Sequence, residues 1–274
     1  MKKTLVVLTK SAKMKNYCVA GIEVENGKWI RLENRLLDGD ALSEQDMTYE
    51  DGTVCSELDV IEVECLEQDA SNYYQPENVY IDTRYKFRKL NDVTWRDVLN
   101  QHPAELSNRL LNCGGGFSYI TKEYAQTLNN YAKSLQLIKV RNLHIKESDS
   151  KPDSEELSHP KAEFEYENSN GEILKYCLTV TDLNYHPAMK ERYIENAYLI
   201  VSLGNEFKGN HYLLIAKIVE SLDEPFYVTT SRTDGKKYYH KNKDCSLLRY
   251  IGVSEKHALG MIKKEEMIKC KRCW

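Results

Sequence analysis

The amino-acid sequence predicts a mainly β, α+β fold in which two small barrels are joined by a helical segment and followed by a small C-terminal module. Two observations lead to this prediction. Strand-like segments form two separate groups, and segments with helical spacing lie between the groups. Short consecutive strands joined by turns favour small barrels over a parallel sheet. We expect β domains at residues 1–93 and 135–226, a helical connector at 94–134 and a C-terminal module at 227–274.

The first group contains four predicted strands, at residues 3–8, 17–25, 28–32 and 58–67. The second and third are joined at Asn26-Gly27, a pair of residues that strongly favours a hairpin turn. In the connector, residues 94–111 and 121–135 are predicted helices because their apolar residues recur at helical spacing. The glycine run at 114–116 has no Gly-Lys-Ser/Thr after it, so we interpret it as a joint and not as a phosphate-binding loop.

The second group contains five predicted strands, at residues 135–145, 162–167, 173–182, 197–203 and 211–220. A turn at Asn170-Gly171 joins two of them. Residues 147–160 are rich in Ser, Asp, Glu and Pro, a composition typical of a mobile loop.

Composition indicates a soluble protein of a reducing compartment. The 274 residues are 41% hydrophobic and 29% charged. The apolar run at residues 5–8 is too short for a signal peptide, and no stretch approaches the 18 apolar residues of a membrane span. Outside the C-terminal module the cysteines lack paired spacing. We expect a cytoplasmic location.

Charge is distributed unevenly along the chain, although the net charge is only −4. Residues 1–35 carry eight Lys or Arg against three acids, and residues 228–274 carry twelve against five. Residues 36–71 carry twelve acids and no Lys or Arg. The basic ends favour contact with phosphate, although such residues often only form a solvated face. The acidic run is either a solubilising surface or a docking segment for a protein partner.

The C-terminal module carries four residues in metal-ligand order, namely His240, Cys245, Cys270 and Cys273. Two close pairs separated by a loop suit tetrahedral Zn²⁺, and nearby lysines favour the thiolate form of the cysteines. Because protein side chains fill all four positions, the sequence predicts a structural zinc ion. A redox Cys-x-x-Cys is the alternative, but no βαβ pattern surrounds it.

The segments 239–245 and 270–273 resemble the zinc module of Ada-type DNA repair proteins. That resemblance implies DNA contact and leaves open an alternative function, in which a zinc-bound thiolate accepts an alkyl group. The chain departs from the Ada-type pattern because His240 stands where that family has its first cysteine and no proline precedes Cys270.

The segments 5–8, 17–22 and 27–32, with 198–204 and 211–216, resemble the bacterial dual OB-containing domain family over about residues 1–222. This resemblance implies two OB folds. It also implies recognition of nucleic acid or a nucleotide in a prokaryotic defence or conflict system, with no established reaction.

OB folds bind single strands with basic grooves and aromatic platforms. Strand alternation predicts that Arg84, Lys86 and Arg88 share one face, with Tyr85 and Phe87 on the other. The alternative is that these two aromatic residues, and Trp29, belong to the core. The candidate nucleic-acid contacts are Lys10, Lys13, Lys15, Trp29, Arg31, Arg84, Lys86, Arg88, Lys271 and Arg272.

Catalytic motifs are not recognisable in the sequence. Cys113 and His102 lack a third residue at a familiar spacing, and Asp182 with His186 lacks the second acidic group of a magnesium site. The sequence therefore favours a recognition protein with a structural zinc ion over an enzyme. An alkyl-acceptor enzyme and an adaptor that binds a protein effector through residues 36–71 are the alternatives.

Overall fold

A computed structural model describes residues 1–13, 15–68, 73–113, 118–128, 133–147, 159–185, 190–220, 226–230, 235–240, 245, 255–257 and 268–270. The chain divides into two compact units, each with most of its contacts among its own residues. Residues 1–93 and 97–219 form the first, and residues 94–96 and 220–274 form the second.

The first barrel is built from five strands, which are β1 (Lys2–Lys13), β2 (Asn16–Glu23), β3 (Trp29–Glu33), β4 (Asp59–Gln68) and β5 (Asn78–Ile81). They are hydrogen-bonded in the order β1-β2-β3-β5-β4, and β4 pairs with β1 to close the barrel. Neighbours are antiparallel except β3 and β5, which are parallel. A further strand, β6 (Arg88–Asp92), pairs with β4.

The second barrel repeats this strand order. After the short strand β7 (Tyr119–Thr121) come β8 (Leu135–Lys146), β9 (Lys161–Glu167), β10 (Ile173–Val180), β11 (Arg192–Phe207) and β12 (Asn210–Val219). Their order is β8-β9-β10-β12-β11, closed by β11 on β8, and the parallel pair is β10 with β12. The predicted mainly β fold with two OB-like barrels is confirmed.

The first predicted helix is much shorter than expected, and the second does not reach its predicted end. In the described part of the chain, α1 spans Trp95–Gln101 and α2 spans Lys122–Leu128. Pro103 explains the first difference, because the residue before a proline is disfavoured in helical conformation. The second prediction was too long because Leu135 already starts β8. The glycine run at 114–116 and residues 148–158 lie outside the described residues.

Each barrel has its own hydrophobic core. In the first, residues such as Leu5, Val19, Leu32 and Ile61 are fully buried. The second core is larger and includes Leu199, Val201 and Ile215, with buried tyrosines. Inward positions alternate along β9, which is the pattern of a strand with one face on a core.

Hydrogen bonds and ion pairs join the two barrels. The Ala12 N–H donates to the Thr181 carbonyl at 2.9 Å. Lys217 of β12 is buried, and its ammonium lies 2.5 Å from a Glu57 carboxylate oxygen and 3.4 Å from an Asp182 oxygen. Buried charges of this kind are tolerated because each faces an opposite charge.

The described residues of the C-terminal unit include four short strands, β13 (Phe226–Thr230), β14 (Lys237–His240), β15 (Glu255–His257) and β16 (Ile268–Lys269). Their order is β15-β13-β14-β16, and β14 and β16 are parallel. Among the helices that the structure describes, none is long and apolar enough to cross a membrane.

Candidate metal-binding and nucleic-acid-binding sites

Three of the four predicted metal ligands lie together. His240 is the last residue of β14, and Cys270 directly follows β16. Because the parallel register pairs Tyr239 with Lys269, the next residues of the two strands are brought side by side. The Cys270 N–H donates to the Tyr239 carbonyl at 3.0 Å, which fixes this placement. Cys245 completes the group, and all three ligand atoms lie within 4.8 Å of one another.

The geometry and chemistry of this group fit a metal ion. The Cys245 and Cys270 sulfurs are 3.9 Å apart, close to the sulfur–sulfur separation of about 3.8 Å that Zn–S bonds of ~2.3 Å produce in a tetrahedron. All three residues are buried. Burial lowers the pKa of His240, which favours the neutral imidazole that binds metals. The Thr229 hydroxyl lies 3.0 Å from His240 Nε2 and orients the ring.

Three predicted site residues of this region are Lys271, Arg272 and Cys273, and they lie outside the described residues. The fourth ligand therefore stays a prediction. The described group can hold a metal ion through one imidazole and two sulfurs.

The basic segment 84–88 lies on the surface except for Phe87, and it is irregular up to Phe87, with β6 starting only at Arg88, so it is not a continuous strand. The expected alternation was therefore wrong in part. Phe87 is buried in the core of the first barrel, whereas Tyr85 is 57% exposed and lies 5.7 Å from the Arg84 guanidinium. The side chains of Arg84 and Arg88 are 74% and 65% exposed. Lys86 is exposed too, and donates to the Tyr49 carbonyl at 3.4 Å.

Carboxylates accompany the two arginines. Arg84 donates to both Asp82 oxygens, at 2.8 and 2.6 Å, and this hydrogen bonding lowers the pKa of Asp82 to about 2. Arg88 lies 3.0 Å from Glu62 and lowers the pKa of that carboxyl group. The Asp82 and Glu62 side chains are only 10% and 17% exposed, so each arginine would keep its carboxylate partner and contact a phosphate through its remaining solvent-facing N–H donors.

The predicted N-terminal lysines differ in accessibility. Lys15 is exposed at the turn between β1 and β2. Lys13 is mostly buried and lies 3.7 Å from Glu33. The Lys10 ammonium lies over the Tyr17 ring at 4.9 Å and donates to the Cys55 carbonyl.

Trp29 starts β3 and is half-buried. It lines a surface pocket of about 340 Å³, whose other lining residues include Lys28, His102 and Glu105. The position combines an aromatic ring with polar groups, so Trp29 is neither a pure core residue nor an open platform.

Arg31 lies at the junction of the two barrels and is 1% exposed. Its Nη2 donates to the hydroxyls of Ser134 at 2.8 Å and Ser202 at 3.2 Å, and it lies 3.2 Å from a Glu77 oxygen. This placement offers no surface from which the guanidinium could reach a phosphate. Arg31 links the two barrels instead.

The predicted acidic segment is used partly inside the fold. Asp46 accepts hydrogen bonds from the Ser43 hydroxyl at 2.7 Å and from Asn34. Asp59 is buried, accepts from the Tyr49 hydroxyl at 2.8 Å and pairs with Lys89 at 2.6 Å. Part of the acidic segment 36–71 therefore stabilises the first barrel through these contacts.

Sequence reasoning missed an exposed aromatic group on the second barrel, formed by Tyr119, Phe207 and Tyr212. The sequence contains one signal for Tyr212, because residues of a strand alternate between its two faces. His211, Leu213 and Ile215 are buried in the barrel, so Tyr212 lies on the outside. The partners on β7 and β11 could not be found from spacing, because they come from distant parts of the chain.

Residues 3–218 match the model of the dual OB-containing domain family, so the chain belongs to that family. The match ends before the C-terminal strands. A comparison with curated proteins finds no match. Among solved structures, a murine DNA-binding protein bound to double-stranded DNA covers 81% of this chain and 100% of its own. The identity is 6% and the TM-score 0.29, too low a similarity to bear on function.

Proposed function

We propose that this protein recognises nucleic acid or a nucleotide through basic and aromatic surfaces of its two OB barrels. The observation that carries the proposal is the exposed group Arg84, Tyr85, Lys86 and Arg88 on a closed barrel of OB topology. OB folds bind single strands by combining cationic grooves with aromatic rings on which bases stack. The group supplies three cations and one exposed ring within five residues.

The accessible lysines and Trp29 extend this assignment. Lys15 is exposed at the β1–β2 turn, which belongs to the loops that OB folds use for ligands. Trp29 borders a pocket of a size that suits a small ligand, such as a nucleotide base. Arg31 is not among the proposed nucleic-acid contacts, because it is buried. A role in prokaryotic defence and a cytoplasmic location rest on the family resemblance and composition alone.

The test is fluorescence anisotropy with labelled single-stranded DNA, single-stranded RNA, duplex DNA and a nucleotide, at several salt concentrations. For a single strand, substituting Arg84, Lys86 and Arg88 by alanine should weaken binding. It should also reduce the slope of log K against log salt by about 0.7 for each lost phosphate contact.

A matched control removes the same charge from the second barrel by K139A, R141A and K175A, all at exposed positions. If the two triple variants lose affinity equally, binding follows net charge and the assignment of the 84–88 segment is wrong. If the wild-type protein binds none of the four ligands at low salt, the proposed function itself is wrong.

The C-terminal group is proposed to hold a structural Zn²⁺ through His240, Cys245, Cys270 and Cys273. Two sulfurs at the separation expected of zinc thiolates and a buried neutral imidazole support this. With four protein ligands, the ion would stabilise the C-terminal unit and leave no position for catalysis. The resemblance to the Ada-type module extends the proposal to a basic DNA contact at Lys271 and Arg272.

Metal analysis tests this assignment. We expect one zinc per chain in protein purified without added metal, and loss of that zinc in C245S and C270S. A matched control is C177S, which changes an exposed cysteine of the second barrel. Full zinc content in both ligand variants would contradict the site.

A further inference from the structure

The geometry points to a base-stacking platform for single-stranded nucleic acid on the outer face of the second barrel, formed by Tyr119, Phe207 and Tyr212 with Lys208 at its edge. This inference rests on the proposed function and names a second contact surface for it. All three rings are exposed, Phe207 to 59%. The Tyr212 ring centroid lies 5.7 Å from that of Tyr119 and 6.5 Å from that of Phe207, with ring planes inclined by 43° and 57°, so three neighbouring rings present differently inclined faces to solvent.

The platform is held by backbone hydrogen bonds. Tyr119 on β7 and Tyr212 on β12 are direct cross-strand partners. Phe207 ends β11, next to a two-residue turn in which Lys208 and Gly209 both have positive φ, 52° and 80°. These angles are those of a type I′ hairpin turn. The Lys122 N–H donates to the Gly209 carbonyl at 2.9 Å and ties the turn to the strand that carries Tyr119.

Charge at the edge of the platform favours a polyanion. The Lys208 ammonium lies 5.2 Å from the centroid of the Phe207 ring. Among the described residues it forms no ion pair, and the neighbouring Glu206 pairs with Lys122 at 2.7 Å. A cation without a carboxylate partner among the described residues, beside three exposed rings, matches the phosphate and bases of one strand. The turn is also the loop between the fourth and fifth strands of this barrel, a position from which OB folds reach their ligands.

A single-stranded oligonucleotide is therefore the occupant that we assign. Duplex DNA buries its bases in the stack, so it cannot use the rings in the same way. A second copy of this chain, bound by apolar contact, is the competing occupant. The experiment separates these two because only stacking depends on aromatic rings and unpaired bases.

The test compares the wild type with the triple variant Y119L/F207L/Y212L, which keeps apolar bulk but removes the aromatic faces. For single-stranded DNA or RNA we expect a loss of affinity of about 5- to 150-fold for each base that stacks. The slope against log salt should stay unchanged, because leucine substitution removes no phosphate contact. K208Q should reduce that slope by about 0.7 instead. An oligonucleotide with 5-iodouracil should crosslink to peptides containing Tyr119, Phe207 or Tyr212.

The outcomes separate this inference from the proposed function. If the wild type binds single strands and the leucine variant binds them equally well, the platform is wrong while nucleic-acid recognition stands. If the wild type binds no nucleic acid, the proposed function fails and the platform fails with it. A variant that alters only the oligomeric state in analytical ultracentrifugation assigns the rings to self-association and overturns the platform. Circular dichroism should show an intact fold, since all three positions are exposed.

Discussion

At the scale of single residues, Arg31 illustrates how burial decides the role of a charge. Its position in β3 places it on the outer face of the first barrel, which normally faces solvent. Here that outer face meets Ser134 and Ser202 of the second barrel. The guanidinium and Glu77 are both buried, so each depends on the other for compensation of its charge.

Removing the Arg31 side chain should therefore destabilise the protein. For Arg31→Ala we expect a loss of about 3–5 kcal/mol in the free energy of unfolding, because the Glu77 carboxylate would remain buried without its cation. Urea denaturation measures this. Lys15→Ala removes an equally charged but exposed side chain and should change stability by less than about 0.5 kcal/mol. Equal, small effects would show that Arg31 does not join the barrels.

Asp82 and Arg84 provide a pH-dependent test. Hydrogen bonding to Arg84 lowers the pKa of Asp82 from 3.8 to about 2. Because the folded pKa is depressed, the stabilisation is present above about pH 4 and is lost as the pH falls toward 2. In Arg84→Ala the pKa of Asp82 should rise toward 3.8, measured by NMR titration of the carboxyl carbon. Lys86→Ala is the control and should leave that pKa near 2.

At the scale of elements, the strands with clear alternation and turn residues were predictable. The Asn26-Gly27 and Asn170-Gly171 turns lie between the expected strands. Strands β5 and β7 were missed because they have only four and three residues and are specified by distant partners, whereas the strand expected over 84–88 begins only at its end, as β6. The first helix was predicted too long because helical spacing continues past Pro103, and the second because its predicted C-terminal residue, Leu135, belongs to β8.

Gly21 is the glycine whose lack of a side chain the first barrel requires most directly. In β2 it lies opposite Val7, beside a bulge in β1. An added Cβ would lie 1.9 Å from the Val6 carbonyl oxygen, far inside contact distance. Gly21→Ala should lower stability by about 1–3 kcal/mol or more, because β1 and β2 must separate.

Thermal denaturation followed by circular dichroism checks this prediction. Val24→Ala, at an exposed position just after β2, is the matched control and should leave the midpoint nearly unchanged. A Gly21→Ala protein as stable as the wild type would mean that the two strands tolerate a wider separation.

At the scale of the whole molecule, the candidate sites differ in how far the sequence could predict them. The metal group was predictable because its ligands follow one another in a short segment, and the strand register then brings His240 and Cys270 together. The platform of Tyr119, Phe207 and Tyr212 was not, because a barrel assembles it from three strands. The role of Arg31 could not be predicted, because it depends on which face of the first barrel the second barrel covers.

The contacts between the barrels predict that neither is independent. Lys217 of the second barrel neutralises Glu57 of the first, and Gln75 donates to the Leu203 carbonyl at 2.7 Å. A fragment of residues 1–93 would lose these partners and expose Arg31 and Glu77 to water on a surface shaped for protein contact.

We expect residues 1–219 to unfold in one cooperative transition. Residues 1–93 alone should show a broad transition and should bind a dye that reports exposed hydrophobic surface, as loosely packed proteins do. Urea titrations followed by tryptophan fluorescence and circular dichroism would test this, since coincident curves define one transition. If the 1–93 fragment unfolds sharply at the same urea concentration as the longer protein, the barrels are independent and their buried charges do not couple them.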